Sequence, residues 1–383
     1  MDNNATTAMS KRAVDAMMPY LSEVYGNASS KFYGVGRQAE AALCEMRSNV
    51  AKELGAAASE IYFTASGCEA DNWAIKGIAD AYRAKGNHII TSAIEHHAIL
   101  SACEFLEKHG YEVTYLPVDK NGMVSPADVE AAITDKTVLI SIMTANNEIG
   151  TVEPIVEIAK IAKAHKVLMH TDAVQAIGHM KIDVKELGVD LMSISAHKFH
   201  GPKGVGVLYI RNGVKISNLI HGGGQERGKR AATENLAGIA GLSAALTETN
   251  ENLDAKIAHM KEMRDRLING IESKIPDAYL NGPRDEGRLC NNANFSFKYI
   301  EGESILMMLD MYGICASSGS ACASGSLDPS HVLLAIGLPH EIAHGSLRLS
   351  VSAETTAEEV DYVIESLAPI VERLRMMSPL YEG

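Results

Sequence analysis

Short β-rich runs alternate with helical stretches between residues 61 and about 210. Strands are predicted over residues 61–64, 88–92, 112–116, 138–143, 167–171, 191–194 and 205–210. Helices are predicted between them, over residues 69–85, 98–109, 126–132 and 155–165. This alternation is typical of parallel strands covered by helices, and it predicts an α/β fold with a mostly parallel, seven-stranded type of sheet.

From residue 235 onward the regular alternation of strands and helices ends. A proline-free stretch over residues 235–274 favours a long helix that leads out of the sheet. Beyond it we predict strands over 294–297 and 346–351, helices over 303–311 and 357–376, and a Gly/Ser-rich segment over 317–326. We therefore assign residues 15–260 to a large domain, and residues 1–14 with 261–383 to a smaller α/β domain.

Charge, apolar runs and cysteines exclude several classes of protein. The 383 residues carry 35 Lys and Arg against 48 Asp and Glu, a formal charge of −13, which disfavours nucleic acid as a partner. No apolar run approaches the ~20 residues of a membrane span, and the start lacks the pattern of a secretory signal. We expect a cytoplasmic protein whose six cysteines stay reduced and are mostly small buried hydrophobes.

A lysine and an aspartate follow two of the predicted strands. Lys198 lies in the glycine-punctuated stretch SAHKFHGPKG, and Asp172 ends the strand over 167–171. At one edge of a parallel sheet they suit pyridoxal phosphate, which takes an amine in a covalent link and needs a carboxylate at its ring nitrogen. Since Asp and Lys are common at strand ends, these two residues alone leave the cofactor open. The turn from Thr64 to Glu69 is either a phosphate cradle or an ordinary strand-to-helix turn.

Motifs spread over nearly the whole chain carry a family resemblance. They are DNNATT (2–7), GNASS (26–30), TASGCEADN (64–72), EHHA (95–98), NNEIG (146–150), HTDAVQ (170–175), SAHKFHGPKG (195–204), HGGGQERGKRAATEN (221–235) and SSGSACASGSLDPSHVL (317–333). In this order they resemble the cysteine desulfurases of nitrogen fixation and iron–sulfur cluster assembly, which are fold-type I pyridoxal phosphate enzymes. The resemblance implies removal of sulfur from L-cysteine, with L-alanine as the other product.

The resemblance also assigns roles to individual residues. It makes Lys198 the covalent link to the cofactor, Asp172 the partner of the ring nitrogen, Gln175 a donor to the ring oxygen, and His96 a ring-stacking proton-transfer group. Asn147 would approach both cofactor and substrate. The phosphate would be held by Gly67, Cys68, Ser195 and His197, and by Thr233 of a neighbouring subunit, which implies a homodimer.

Two further roles concern the substrate and its sulfur. Arg348 resembles the arginine that grips the substrate carboxylate, although a surface arginine is the alternative from the residues alone. Cys322 lies amid small Gly, Ser and Ala residues and is the predicted persulfide carrier. An iron–sulfur scaffold protein is the predicted sulfur acceptor. Cys322 is also a candidate iron–sulfur ligand. Cys68 and Ala232 depart from the family, which usually has Thr and Gly there.

The alternatives use the same cofactor residues. A selenocysteine lyase, a cysteine sulfinate desulfinase and a class V aminotransferase would each retain Lys198 and Asp172. A catalytically silent sulfur-relay protein would keep only the fold, and the joint presence of His96, Arg348 and Cys322 counts against it.

Overall fold

A large sheet forms the centre of the protein, whose computed structural model describes residues 1–319, 329–379 and 381. Its strands are β1 (Ile61–Thr64), β2 (His88–Ser92), β3 (Glu112–Leu116), β4 (Thr137–Ser141), β5 (Leu168–Asp172), β6 (Leu191–Ser195) and β7 (Gly206–Ile210). They lie in the order β1-β7-β6-β5-β4-β2-β3. Strands β3, β2, β4, β5 and β6, which lie side by side in that order, pair in parallel, whereas β7 is antiparallel to both β6 and β1. The predicted mostly parallel, seven-stranded sheet is confirmed.

Helices cover both faces of this sheet. They are α1 (Lys11–Met17), α2 (Pro19–Ser22), α3 (Gly34–Glu53), α4 (Gly67–Tyr82), α5 (His97–Glu107), α6 (Pro126–Ala132), α7 (Ile155–Ala164), α8 (Val184–Leu187), α9 (Gln225–Gly228) and α10 (Leu236–Asn250). The next helix, α11 (Leu253–Lys274), packs instead against a second, smaller sheet. Every residue of β1, β2, β4, β6 and β7 is buried, which explains why these strands read as continuous apolar runs.

The long helix predicted over 235–274 is two helices. The chain breaks between α10 and α11, where Asn252 adopts a left-handed conformation with φ of 54°. Asparagine tolerates this conformation better than most residues, so the break needs neither glycine nor proline.

A second, smaller sheet lies in the C-terminal part of the chain. It contains β8 (Ala278–Leu280), β9 (Asn292–Phe297) and β10 (Ser346–Ser350), all antiparallel, in the order β10-β9-β8. Its helices are α12 (Gly302–Met311), α13 (His331–Ala335), α14 (His340–Ala343) and α15 (Ala357–Met377). Helices α11, α12 and α15 enclose with this sheet an apolar core of their own, separate from the cores on the large sheet, whereas α13 and α14 pack with Ile94, Met143 and Ile149. The domain boundaries stay a prediction.

The expectation that most cysteines are buried is wrong for the described residues. Cys103 and Cys290 are buried, whereas Cys44, Cys68 and Cys315 are exposed. Cys44 lies on an outward-facing position of α3, and Cys68 lies in the first turn of α4, where the helix meets a cavity. Among the described helices, none combines the length and the hydropathy that crossing a membrane requires.

Candidate functional site

A cavity of about 210 Å³ opens at the carboxyl ends of β5 and β6. Ten of the predicted site residues line it, namely Gly67, Cys68, His96, Asn147, Asp172, Gln175, Ser195, His197, Lys198 and Arg348. Thr233 lies elsewhere, and Cys322 lies outside the described residues. Residues from distant parts of the chain therefore meet where open α/β sheets bind ligands.

Lys198 and Asp172 reach the cavity from neighbouring strands. Asp172 is the last residue of β5, and Lys198 ends the 3₁₀ turn that follows β6. The Asp172 carboxylate accepts a hydrogen bond from the Val174 amide at 2.8 Å. Burial raises the pKa of Asp172 to about 6, while the Val174 bond and the positive charge of Lys198 act against that rise. The pair provides an amine and a buried carboxylate at one sheet edge.

Asp71 is a cavity residue that sequence reasoning missed. It lies on α4, four residues after Gly67, so both residues are on one helix face. Its side chain is buried, and its Oδ1 atom has no hydrogen-bond partner among the described residues. Burial, and after it the negative charge of Asp172, raises the pKa of Asp71 well above its ordinary value. The sequence feature that could have identified Asp71 as a cavity residue is its i, i+4 spacing from Gly67.

The start of α4 forms an anion cradle. Ser66 caps the helix by accepting a hydrogen bond from the Glu69 amide at 3.0 Å. The first turn of the helix lines the cavity. A Cβ atom on Gly67 would lie only 2.8 Å from Val174 Cγ2 and 3.2 Å from Ser195 Cβ. Glycine is therefore needed for this close approach. The first-turn amides and the positive end of a 16-residue helix suit a phosphate group.

His96 presents a neutral imidazole. Its Nδ1 atom caps α5 by accepting a hydrogen bond from the Ala98 amide at 3.1 Å. Burial, and after it the positive charge of Lys198, lowers the pKa of His96 to about 4. Near neutral pH the ring is uncharged, so Nε2 carries the proton.

Arg348 has the geometry of a carboxylate receptor. It lies on β10 and is 1% exposed. Its Nη1 donates to the Asn147 carbonyl at 3.1 Å, and its Nη2 donates to Asp2 Oδ1 at 3.1 Å. The Nε donor has no partner among the described residues, although it is buried. A carboxylate in the cavity could take up that donor. Asp2, which helps to orient the guanidinium, was missed in the sequence.

Thr233 does not reach the cavity within one chain. It lies on an exposed segment beside Ala232, away from the residues that line the cavity. Ala232 adopts φ of 100°, a conformation that favours glycine. The role of Thr233 in a neighbouring subunit stays a prediction.

Replacing Ala232 with glycine is expected to raise the free energy of unfolding by about 1 kcal/mol, because relief of Cβ strain exceeds the added chain entropy. Ala231→Gly is the matched control, since Ala231 precedes Ala232 in the chain, is buried and has no positive φ. There the same change should lower the free energy of unfolding by about 1 kcal/mol. Urea unfolding of the three proteins measures both values. Equal losses in both variants would show that Ala232 is unstrained.

The cavity fits pyridoxal phosphate by its donor set. The cradle at α4 suits a phosphate, Lys198 supplies the amine, and Asp172 supplies the buried carboxylate. Gln175 lines the same cavity; its Oε1 acceptor is buried and unpaired among the described residues, whereas its Nε2, the predicted donor to the ring oxygen, donates to the Asn4 carbonyl at 2.9 Å. Within those residues no cluster of three or more His, Cys, Asp or Glu could hold a metal ion, and the candidate ligand Cys322 lies outside them.

Comparison with known proteins gives consistent matches. The class-V aminotransferase family matches residues 1–363. A "Cysteine desulfurase IscS" of Clostridium botulinum is 59% identical over 383 residues, covering 100% of this chain and 96% of that protein. One of Methanosarcina thermophila is 57% identical, covering 99% and 93%. The solved structure of a NifS-like protein is 40% identical, with a TM-score of 0.91 over 97% of this chain and 99% of that one.

Proposed function

Because this chain belongs to the cysteine desulfurases of the class-V aminotransferase family, we propose that it removes sulfur from L-cysteine and releases L-alanine. One observation carries the assignment to these residues: Lys198, Asp172 and Arg348 line a single cavity of about 210 Å³. A structural neighbour, 35% identical with a TM-score of 0.82 over 93% of this chain and 99% of that one, is titled "SspA in complex with cysteine".

The family's cofactor, pyridoxal phosphate, is the group we assign to the cavity. When bound, it supplies a covalent link to an amine and an electron sink for the bond that breaks. Gly67, Cys68, Ser195 and His197 would hold its phosphate, and Asp172 would pair with its ring nitrogen. The rise in the pKa of Asp172 by burial favours a proton shared at that position.

Arg348 orients the substrate in this proposal. Its buried guanidinium is fixed by Asn147 and Asp2, and its Nε donor has no partner among the described residues. An amino acid whose carboxylate is held there directs its amine and its side chain into the cavity. His96 holds its proton at Nε2, where it can donate to a group in the cavity.

Sulfur leaves through Cys322. The Cys322 thiolate attacks the substrate Sγ, a sulfur–sulfur bond forms, and the substrate Cβ–Sγ bond breaks with its electron pair remaining on Cβ. Protonation of Cβ gives alanine, while a persulfide stays on Cys322. We propose an iron–sulfur scaffold protein as the acceptor, a homodimer in which Thr233 completes the neighbouring site, and a cytoplasmic location. The full-length similarity to proteins named cysteine desulfurase IscS supports this use of the sulfur.

The decisive experiment supplies the protein and pyridoxal phosphate with L-cysteine and dithiothreitol, and measures sulfide and alanine. Equal amounts of both are expected. Parallel reactions with L-selenocysteine and with L-cysteine sulfinate test the sister lyase activities. A keto acid in place of sulfide and alanine would overturn the proposal in favour of an aminotransferase.

Changing Arg348 to lysine is expected to raise KM for L-cysteine by about 100-fold, which corresponds to about 2.8 kcal/mol. A lysine ammonium cannot form two parallel hydrogen bonds to a carboxylate, and it leaves Asp2 and the Asn147 carbonyl poorly paired. Arg375→Lys is the control, because Arg375 is equally buried but bonds backbone carbonyls away from the cavity. An unchanged KM in Arg348→Lys would remove the substrate role of this residue.

A further inference from the structure

The N-terminal strap, residues 4–8, contributes Asn4 and Ala5 to the wall of the cavity that Lys198 also lines. Lys198 Nζ donates to the carbonyl oxygen of Asn4 and, at 2.9 Å, to that of Ala5. Farther along the strap, the Thr7 amide and hydroxyl both donate to the His197 carbonyl at 3.0 Å. The strap therefore runs alongside the turn that carries Lys198 and offers its amine two carbonyl oxygens.

Asn4 fixes the position of these carbonyls. Its side chain is buried, Nδ2 donates to the Asn147 carbonyl at 3.1 Å, and Oδ1 accepts from Asn291 Nδ2 at 2.8 Å. Its amide donates to Ser350 Oγ at 2.9 Å, and its carbonyl also accepts from Gln175 Nε2 at 2.9 Å. Bonds from both domains thus hold this residue, so its carbonyl cannot shift without breaking several of them.

When a substrate displaces the lysine amine from the cofactor, that amine needs a binding position of its own. In that exchange the bond between Lys198 Nζ and the cofactor carbon breaks, and an equivalent bond to the substrate nitrogen forms. The substrate arrives as an ammonium and loses a proton, which Nζ can take up. An ammonium held by carbonyl oxygens has no lone pair, so it cannot attack the cofactor again.

We propose that the N-terminal strap is the resting position of the displaced Lys198 amine, and that Asn4 is the positioning residue that keeps the two carbonyls in place. This rests on the proposed function. The strap stabilises the state in which Lys198 is not linked to the cofactor, and so favours substrate binding. Loss of Asn4 contacts therefore weakens amino acid binding without weakening the cofactor–lysine link.

The test compares Asn4→Ala with Asn3→Ala in the holoenzyme. Asn3 is the matched control, because its Nδ2 donates to the Ser350 carbonyl at 2.9 Å and it does not line the cavity. The probe is L-alanine, which can displace Lys198 but has no sulfur to lose. Its dissociation constant is measured from the change in cofactor absorbance, and that of pyridoxal phosphate from titration of the apoprotein.

Asn4→Ala is expected to weaken L-alanine binding at least tenfold, with pyridoxal phosphate bound as tightly as in the native protein or more tightly. Asn3→Ala is expected to leave both constants unchanged. Equal weakening of both constants in Asn4→Ala would show a merely structural role and overturn the proposal, as would behaviour identical to Asn3→Ala.

Asn291→Ala provides a second route if Asn4→Ala does not fold. It removes the same hydrogen bond from outside the strap and should weaken L-alanine binding about threefold, again without weakening cofactor binding. No change in L-alanine binding would contradict the proposal. Failure of the proposed function is distinguishable, because the native protein itself would then release no sulfide from L-cysteine.

Discussion

Replacing Lys198 with alanine is expected to lower sulfide release from L-cysteine by at least about 1000-fold, because this removes the amine that links to the cofactor. Lys198 is the lysine that lines the cavity with Asp172 and His96, so no other lysine in that cavity can replace it among the described residues. Borohydride reduction followed by mass spectrometry should find no covalently bound cofactor in the variant.

Lys203→Ala is the matched control for that experiment. Lys203 follows in the same glycine-punctuated turn, but it is exposed and does not line the cavity. Its loss should leave both sulfide release and the reducible link intact. A reducible link that persists in Lys198→Ala would place the covalent attachment on another residue.

Replacing Cys322 with alanine is expected to reduce sulfide release at least about 100-fold while the cofactor absorbance and the binding of L-alanine stay unchanged. The residue itself lies outside the described residues, but both flanks are tied to the site. Ser317 donates to the Asp2 carboxylate, which orients Arg348, and Ser330 donates to the buried Glu148. The described flanks of Cys322 therefore bond Asp2, which orients Arg348, and Glu148, which follows Asn147 in the chain.

Cys315→Ala controls for loss of an exposed thiol from the same part of the chain. It should release sulfide at the native rate. Mass spectrometry after a single turnover adds a direct measurement, since the native protein should gain one sulfur atom on Cys322. Undiminished sulfide release by Cys322→Ala would mean that the sulfur leaves without this residue.

The central sheet was predictable because its strands are short apolar runs bounded by polar residues. Strands β1, β2 and β3 and helix α6 have the predicted bounds; β4 and β5 differ by one or two residues at each end, and β6 and β7 by one residue at one end. The three-residue strand β8 was not predicted, because it is too short to show a periodicity and is defined by pairing with β9.

The candidate site was predictable only where a motif carried the chemistry. Lys198, Asp172 and His96 could be proposed from their motifs, and the structure brings them into one cavity. Asp71 and Asn4 also lie within motifs, but their importance comes from contacts with residues far away in the sequence. The positive φ of Ala232 likewise depends on the fold around it, although the departure from glycine marked the position.

The contacts of Asp2 impose an order of events on synthesis of the chain. Its carboxylate accepts a hydrogen bond from Arg348, which lies 346 residues farther along the chain. Next to this contact, the amide of Ser350 donates to the Met1 carbonyl. At a synthesis rate of about 5–20 residues per second, the first residues wait roughly 17–70 s for these partners. The large sheet can form meanwhile, but the pocket that receives the substrate is complete only when Asp2 meets Arg348.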